Sequence, residues 1–196
     1  RALRPSLAPR SRKTQPNNEA RAPEFRKKAE EWAGRPITDE DIREAIRILN
    51  GQRAALRRIS ALRLADEPRV TGTEALVITG AGFRMDRGEH RDLVNQVADA
   101  AEHWPILTGE RIYFSGTEQY GSEVYEALEM DGAVIVAEDQ DCGMRWYEGD
   151  TDENLSPEKA VTRRYMLRSP SPKKATVADR TETLCRAAQA AKVRGV

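Results

Sequence analysis

Cysteine and histidine are scarce in this 196-residue chain, which contains two residues of each type. Cys142 and Cys185 lie far apart in the sequence and form no CxxC pair. A disulfide framework is therefore excluded, because it needs several cysteines, and the spacing argues against a structural zinc site, which needs several closely spaced ligands. Two cysteines also cannot supply three or four protein ligands to an iron–sulfur cluster. We expect both thiols to be reduced.

Long hydrophobic runs and an excess of charge are also missing. No apolar run approaches the roughly 18 residues of a membrane span, and no signal-peptide core follows Arg1. Lys and Arg together number 32, as do Asp and Glu, so the formal net charge is zero. A general nucleic-acid-binding protein normally has a basic excess. These absences predict a soluble, cytoplasmic protein whose partners include neither nucleic acid nor a membrane.

The charge is nevertheless distributed unevenly along the chain. Residues 1–28 contain nine basic and two acidic residues. Residues 1–22 include three prolines and have almost no apolar periodicity, which predicts a disordered basic leader. Such a segment has three possible interpretations: a flexible leader, the first residues of an incomplete chain, or a basic arm that binds an acidic partner.

Residues 23–108 carry helical patterns and are predicted to form a helical linker region. A short helix from Pro23 ends at Gly34, and Thr38 with Asp41 resembles a capping box at the start of the next helix. That second helix runs to about Leu64, with apolar residues at spacings of three, four and seven opposite an arginine-rich face. Another helix is predicted over 87–103. The apolar stripe of the second helix consists of Ile42, Ile46, Leu49, Leu56, Ile59 and Leu62.

The stretch ALVITGAG, residues 75–82, looks like a strand that runs into a dinucleotide-binding glycine turn. The full fingerprint needs a small residue three positions after the second glycine, and Met85 occupies that position. This mismatch favours a helix or turn in which Gly80 and Gly82 allow a close contact. Binding of a nicotinamide dinucleotide is kept only as an alternative.

The pattern changes after Gly109, and residues 109–196 are predicted to be the first part of an α/β domain. Hydrophobic strands over 111–115 and 133–137 flank a helix over 122–130, which is typical of a parallel sheet. Two more helices are predicted over 157–167 and 176–192. The last four residues, Val193–Val196, resemble the start of a third strand.

Polar residues follow both predicted strands. Open α/β sheets bind ligands at the carboxyl ends of their strands. Asp139, Cys142 and Arg145 follow the second strand and are suited to a polar, partly flat substrate; the other interpretation is a solvated loop with Trp146 packed against the sheet. The first strand ends in Ser115-Gly116, a glycine turn that can direct backbone N–H groups towards an anion.

Six blocks in the same order resemble the benzoyl-CoA reductase / 2-hydroxyacyl-CoA dehydratase family, over residues 23–196. The block most typical of the family is VVAEDxCxGxRY, matched here by Val136, Ala137, Glu138, Asp139, Cys142, Gly143 and Arg145. In chain order the blocks are GRPITDEDIREAIRILNGQRAALRRISALR, VTGTEAL, AGFRMDRGEH, ERIYFSG, LEMDGAVIVAEDQDCGMRWYEG and SPEKAVTRRYM.

The resemblance implies a component of an oxygen-sensitive complex that acts on acyl-CoA thioesters, by reducing an aromatic ring or by eliminating water from a 2-hydroxyacyl-CoA. It further implies a related second subunit, a [4Fe–4S] cluster and an ATP-dependent activator protein. The implied fold is α/β: a flavodoxin-like or Rossmann-like parallel sheet, incomplete in this chain and preceded by long linking α-helices.

Within this hypothesis Ser115, Gly116, Asp139, Cys142 and Arg145 line the substrate pocket. Asp139 or its neighbour Glu138 would orient the substrate or a nearby side chain, and Arg145 would pair with a carboxylate or with a phosphate oxygen of coenzyme A.

The ligands of the [4Fe–4S] cluster cannot be identified in this chain. Cys142 matches a recurring cysteine of the family that is not one of its cluster ligands. Residues 169–172 read Ser-Pro-Ser-Pro where many members have a Pro-Cys-x-Cys-like stretch. The chain alone is therefore expected to be inactive. The alternative is a non-catalytic interaction or assembly subunit on the same scaffold.

Overall fold

A computed structural model of the protein describes residues 15–116, 119, 121–169 and 176–196, with side chains from Ala22 onward. Most of the predicted leader, residues 1–14, and the Pro-Ser-Pro part of the Ser-Pro-Ser-Pro stretch lie outside the described residues. In chain order the described elements are α1 (Gln15–Ala33), α2 (Asp39–Leu64), α3 (Gly72–Ala81), α4 (Arg87–Ala101), β1 (Glu110–Ser115), α5 (Glu123–Met130), β2 (Ala133–Asp139), α6 (Met144–Tyr147), α7 (Pro157–Leu167) and α8 (Val177–Ala190).

The chain divides into two compact units, and the division falls inside α2. The first unit contains the residues up to Asn50 together with Gly149–Ser169, and the second contains Gly51–Glu148 together with the chain after Ser169. The domain boundaries at residues 22 and 108 stay a prediction. None of the helices in the described ranges is long and apolar enough to cross a membrane.

In the first unit, α1 packs against α7. α1 begins at Gln15 rather than at Pro23, so the last residues of the predicted disordered leader are helical. Pro23 lies inside the helix, where its ring removes one backbone N–H donor without ending the helix. The end of α1 is as predicted, because Gly34 follows it with a φ of 65°, a conformation that favours glycine.

Reciprocal hydrogen bonds begin α2. The Asp41 N–H donates to Thr38 Oγ1 over 3.1 Å, and the Thr38 N–H donates to Asp41 Oδ2 over 2.7 Å. The predicted capping box is therefore confirmed. Hydrogen bonds from the Thr38 backbone, and then from its hydroxyl, lower the pKa of Asp41.

α3 confirms the helical interpretation of the ALVITGAG stretch. The Thr71 hydroxyl accepts from the Glu74 N–H, and the Glu74 carboxylate accepts from the Thr71 N–H, so a second capping box starts the helix. These caps determine the structure of a segment whose β-branched residues alone favour a strand. Because no strand precedes Gly80, the nicotinamide-dinucleotide alternative lacks the strand–turn–helix context that its fingerprint requires.

The close contact predicted for the two glycines occurs at Gly82 alone. A Cβ atom there would lie 2.8 Å from Cε1 of the buried His90 and 2.9 Å from Gln52 Nε2, whereas Gly80 has nothing within 4 Å. His90 Nε2 lies 2.8 Å from the Ile78 carbonyl oxygen, which can only accept, so Nε2 donates and Nδ1 accepts from Gln52. Gly82 therefore leaves room for a buried polar contact between α2, α3 and α4.

The sheet consists of β1 and β2, which pair in parallel as predicted, with α5 between them in the chain. The register pairs Ile112 with Ile135 and then Tyr113 with Ala137, so Val136 is an extra residue that forms a β-bulge. The chain end pairs with the other edge of β1, where the Tyr113 N–H donates to the Gly195 carbonyl oxygen over 3.0 Å. Gly195 thus forms a single parallel bridge with Ile112, and the predicted start of a third strand stays a prediction.

Helices cover both faces of β2. On one face its side chains join Tyr113 in a cluster with Ala188 and Ala191 at α8. On the other face Ile135 contacts Gly72 of α3 and lies next to α5. A second core joins α2, α3, α4 and α6. The structure confirms a mixed α/β fold with a parallel sheet that is buried on both faces. On the α8 face the residues of β2 are Val134, Val136 and Ala137.

Candidate functional site

The carboxyl ends of β1 and β2 meet at one edge of the sheet, where Ser115 and Asp139 are register partners. Arg180, in the first turn of α8, contacts both residues. Its Nη1 lies 2.7 Å from Asp139 Oδ2, and its Nη2 donates to Ser115 Oγ over 3.1 Å. A single guanidinium thus joins the ends of the two strands.

A second arginine binds the other oxygen of the same carboxylate. Arg145 Nη1 donates to Asp139 Oδ1 over 2.6 Å, and Arg145 Nε donates to Asp141 Oδ1 over 3.1 Å. The Arg145 side chain is only 4% exposed. We call Ser115, Asp139, Asp141, Arg145 and Arg180 the edge cluster; its two aspartates and two arginines balance in charge.

Tyr113 lies beside the edge cluster in the core under α8. Burial raises the pKa of Tyr113, and the negative charge of Asp139 adds to the effect. The phenol therefore stays protonated over the physiological range, so the region around Asp139 gains no further negative charge.

Glu138 leaves β2 on the opposite face and enters a separate buried pair with Arg63 of α2. Arg63 Nη1 lies 2.6 Å from Glu138 Oε2, and Arg63 Nη2 donates to the Ile135 carbonyl oxygen over 2.8 Å. The Arg63 side chain is 1% exposed. Burial opposes the charged form, but the Glu138 carboxylate holds the pKa of Arg63 above its usual value. We call this contact the Arg63–Glu138 pair.

Tyr147 of α6 completes the surroundings of Glu138. Its hydroxyl donates to Glu138 Oε1 over 3.2 Å. Burial, followed by the charge of Glu138, raises the pKa of Tyr147. Glu138 therefore orients neighbouring side chains, which is one of the two roles that the sequence suggested for it.

The solvated-loop interpretation of the segment after β2 is wrong, because Gln140, Gly143, Arg145 and Tyr147 are all buried. Trp146 does not pack in the cluster on the α8 face of the sheet. Its ring lies 5.0 Å from that of Phe83, and the guanidinium carbons of two arginines lie within 6 Å of its centroid, a cation–π arrangement. The two arginines are Arg53 and Arg87.

Three of the five predicted pocket residues come together, namely Ser115, Asp139 and Arg145. Gly116 follows Ser115 directly and is half-buried. Cys142 lies elsewhere: it borders α3 and α5 next to Tyr125, in a space that leaves no room for a water molecule between the described residues. The structure thus divides the predicted pocket between the edge cluster and the α3 side of the sheet.

Sequence reasoning missed Arg63 and Arg180. Arg63 lies seven residues after Leu56 and therefore falls on the apolar stripe of α2, a position where arginine is unusual and where it could have been noticed. No local pattern marks Arg180, since only the packing of α8 on the sheet brings it to Ser115 and Asp139. Long-range contacts of this kind cannot be predicted from the spacing of apolar residues in the sequence.

The two cysteines do not fit an iron–sulfur cluster. Cys142 is half-buried beside α3, and Cys185 is exposed on α8. Within the described ranges no three or more His, Cys, Asp and Glu side chains are grouped so that they could hold a metal ion. No chemical step can therefore be assigned to a cluster bound by these residues.

Comparison with known proteins gives two matches. The family model described as 2-hydroxyglutaryl-CoA dehydratase, D-component, matches residues 10–196. The chain is also 25% identical over 170 residues to the (R)-phenyllactyl-CoA dehydratase beta subunit of Clostridium sporogenes. That alignment covers 84% of this chain and 45% of the relative, so the chain spans a little under half the length of the relative.

Proposed function

The chain belongs to the 2-hydroxyglutaryl-CoA dehydratase, D-component family, as the resemblance predicted, and from this membership we propose that it is a subunit, or part of a subunit, of an acyl-CoA dehydratase complex. The observation that carries the proposal is the family match across residues 10–196. The name of the relative, a dehydratase, favours elimination of water from a 2-hydroxyacyl-CoA over reduction of an aromatic ring.

The edge cluster is the proposed acyl-CoA site. In open α/β sheets ligands bind outside the carboxyl ends of the strands, at the point where the strand order reverses. Here β1 lies between β2 and the chain end at Gly195, so this point lies at Ser115 and Gly116. The same order begins a flavodoxin-like sheet, which is the fold that we propose for the complete domain.

Within this proposal Ser115 and Gly116 face the substrate, and Asp139 acts through the arginines that it binds. Arg145 positions Asp139, because its donors to Asp139 and Asp141 are engaged in the protein interior. Contact of Arg145 with a coenzyme A phosphate therefore has little support. Cys142 would border the site from the α3 side.

The proposed complex contains a related second subunit and an ATP-dependent activator protein, and it works in an anaerobic cytoplasm. A [4Fe–4S] cluster would supply a low-potential electron when bound. Its ligands would have to come from outside the described residues, since Cys142 and Cys185 do not fit one.

A non-catalytic assembly subunit on the same scaffold is the second candidate. The observation that favours it is that the described residues contain no group suited to hold a metal ion. Such a protein would keep the contact surfaces of the family and leave turnover to its partner.

Anaerobic reconstitution distinguishes the two candidates. The chain is combined with the related second subunit, the activator, ATP and a reductant, and enoyl-CoA formation from a 2-hydroxyacyl-CoA is followed. We expect turnover that requires both this chain and ATP. Equal turnover without the chain would identify an assembly subunit, and reduction of an aromatic acyl-CoA without dehydration would identify a reductase.

A further inference from the structure

The hydroxyl group of Ser115, at the end of β1, donates no hydrogen bond within the part of the chain that the structure describes. A guanidinium carries only donors, so Ser115 Oγ is the acceptor in its 3.1 Å contact with Arg180 Nη2. The hydroxyl hydrogen therefore points away from Arg180. Among the described residues this contact is the one hydrogen bond of the Ser115 side chain. The residue is only half-buried, so part of its surface is exposed.

Arg180 restricts the orientation of this hydroxyl, because the hydroxyl accepts a hydrogen bond from Arg180 Nη2. Its own position is fixed by Asp139, whose other oxygen is bound by Arg145, which in turn is bound to Asp141. The Arg180 side chain is 19% exposed, so its contact with Asp139 is largely shielded from water. A donor that is fixed before the ligand arrives loses little rotational freedom on binding.

The charge balance of the edge cluster indicates which ligand group the donor suits. Arginine and lysine side chains bind phosphate and carboxylate groups by charge-assisted hydrogen bonds, but the two arginines of this cluster already pair with its two aspartates. A single neutral donor next to a balanced cluster suits a neutral acceptor. The carbonyl oxygen of the thioester is the neutral acceptor at the reacting end of an acyl-CoA.

We infer that Ser115 donates a hydrogen bond to the thioester carbonyl oxygen of the acyl-CoA, and that Arg180 is the positioning residue that orients Ser115. The inference rests on the proposed function, which supplies the acyl-CoA ligand. It places the coenzyme A phosphates away from the edge cluster, whereas the sequence analysis had Arg145 pair with a carboxylate or with a phosphate oxygen of coenzyme A.

The test compares two probes on the subunit complex: a 2-hydroxyacyl-CoA thioester, and a thioether analogue in which a methylene replaces the carbonyl. Dissociation constants are measured by calorimetry. Because one neutral hydrogen bond is lost, we expect S115A and R180Q each to weaken thioester binding about three- to tenfold. Thioether binding should be unchanged in both variants, and S115T, which keeps a hydroxyl, should restore thioester binding.

R186Q is the matched control, because Arg186 also lies on α8 but pairs with Glu182 on the exposed face; it should change neither constant. Equal binding of both probes by the wild type, or an S115A effect that is absent or equal for both, would overturn the inference and leave the proposed function standing. If R180Q does not fold, the thioester and thioether binding of S115A and S115T still tests the inference. A wild-type complex that binds no acyl-CoA would overturn the proposed function and this inference with it.

Discussion

Glu138 and Asp139 are adjacent in the chain, yet their carboxylates pair with arginines on opposite faces of the sheet. Glu138 meets Arg63 of α2, and Asp139 meets Arg180 of α8. Successive side chains of a strand point to opposite faces, so one dipeptide interacts with two different helices. Each carboxylate side chain is less than a tenth exposed. Each arginine therefore neutralises a carboxylate that is largely shielded from water at the end of β2.

The Arg63–Glu138 pair predicts a large loss of stability when one partner is removed. Arg63→Met leaves the Glu138 carboxylate buried without its cation, so we expect the free energy of unfolding to fall by about 3–5 kcal/mol. Urea denaturation measures this change. The double variant Arg63→Met/Glu138→Met should recover most of the loss, since no charge is then left buried. A double variant as unstable as the two single losses added together would contradict the coupling.

Replacing Gly82 or Gly80 by alanine gives a matched pair of variants. Gly82→Ala places a methyl group 2.8 Å from the His90 ring, and we expect the overpacking to reduce stability by about 1–3 kcal/mol. Gly80→Ala meets no atom within 4 Å inside α3, so it should be neutral or stabilise by up to about 1 kcal/mol. Thermal denaturation compares the two. Equal effects of the two substitutions would show that Gly82 is not needed for a close contact.

The capping box of α2 predicts a pH dependence. Hydrogen bonds from Thr38 lower the pKa of Asp41 in the folded protein, so the charged form stabilises the fold above the pKa of the unfolded chain. That contribution is lost as the pH falls through the lower, folded pKa. Asp41→Asn should therefore lower the melting temperature at neutral pH and have no effect in strong acid. A difference that persists in acid would contradict this origin.

The chain alone is expected to retain no stoichiometric [4Fe–4S] cluster. After anaerobic reconstitution, iron and acid-labile sulfide should remain far below the content of one cluster per chain. The control is the variant Cys142→Ser/Cys185→Ser, which has no thiol and should retain the same residual iron. Iron and sulfide at cluster stoichiometry in the wild type, lost in the variant, would show that the two cysteines can hold a cluster.

The elements with local signals were predicted well. The amphipathic stripe and capping residues of α2 lie within one stretch of chain, and so do the hydrophobic runs of β1 and β2. The start of α1 differs from the prediction, because a high proline content predicts disorder although a helix can include Pro23. The β-bulge at Val136 could not be predicted, because residues 133–137 are all apolar and the sequence shows no break in their alternation.

The candidate site was predictable only as far as the sheet topology determines it. Parallel strands end at the same edge, so Ser115 and Asp139 were expected to lie close together. Burial of Arg145 between two carboxylates could not be predicted, because a charged residue in a polar segment normally faces water. Arg180 reaches the site only through the packing of α8, which depends on apolar contacts between segments far apart in the sequence.

The extra residue in β2 also determines on which face of the sheet each later side chain of the strand lies. With strict alternation from Val134, Glu138 would point towards α8, and Asp139 would point away from it. The bulge at Val136 shifts the alternation of side chains by one residue. Ala137 and Asp139 therefore face α8 instead. A strand of the same length without the bulge would therefore present Asp139 to Arg63 and Glu138 to Arg180. The bulge is as much a determinant of which arginine each carboxylate meets as the order of the two acids in the sequence.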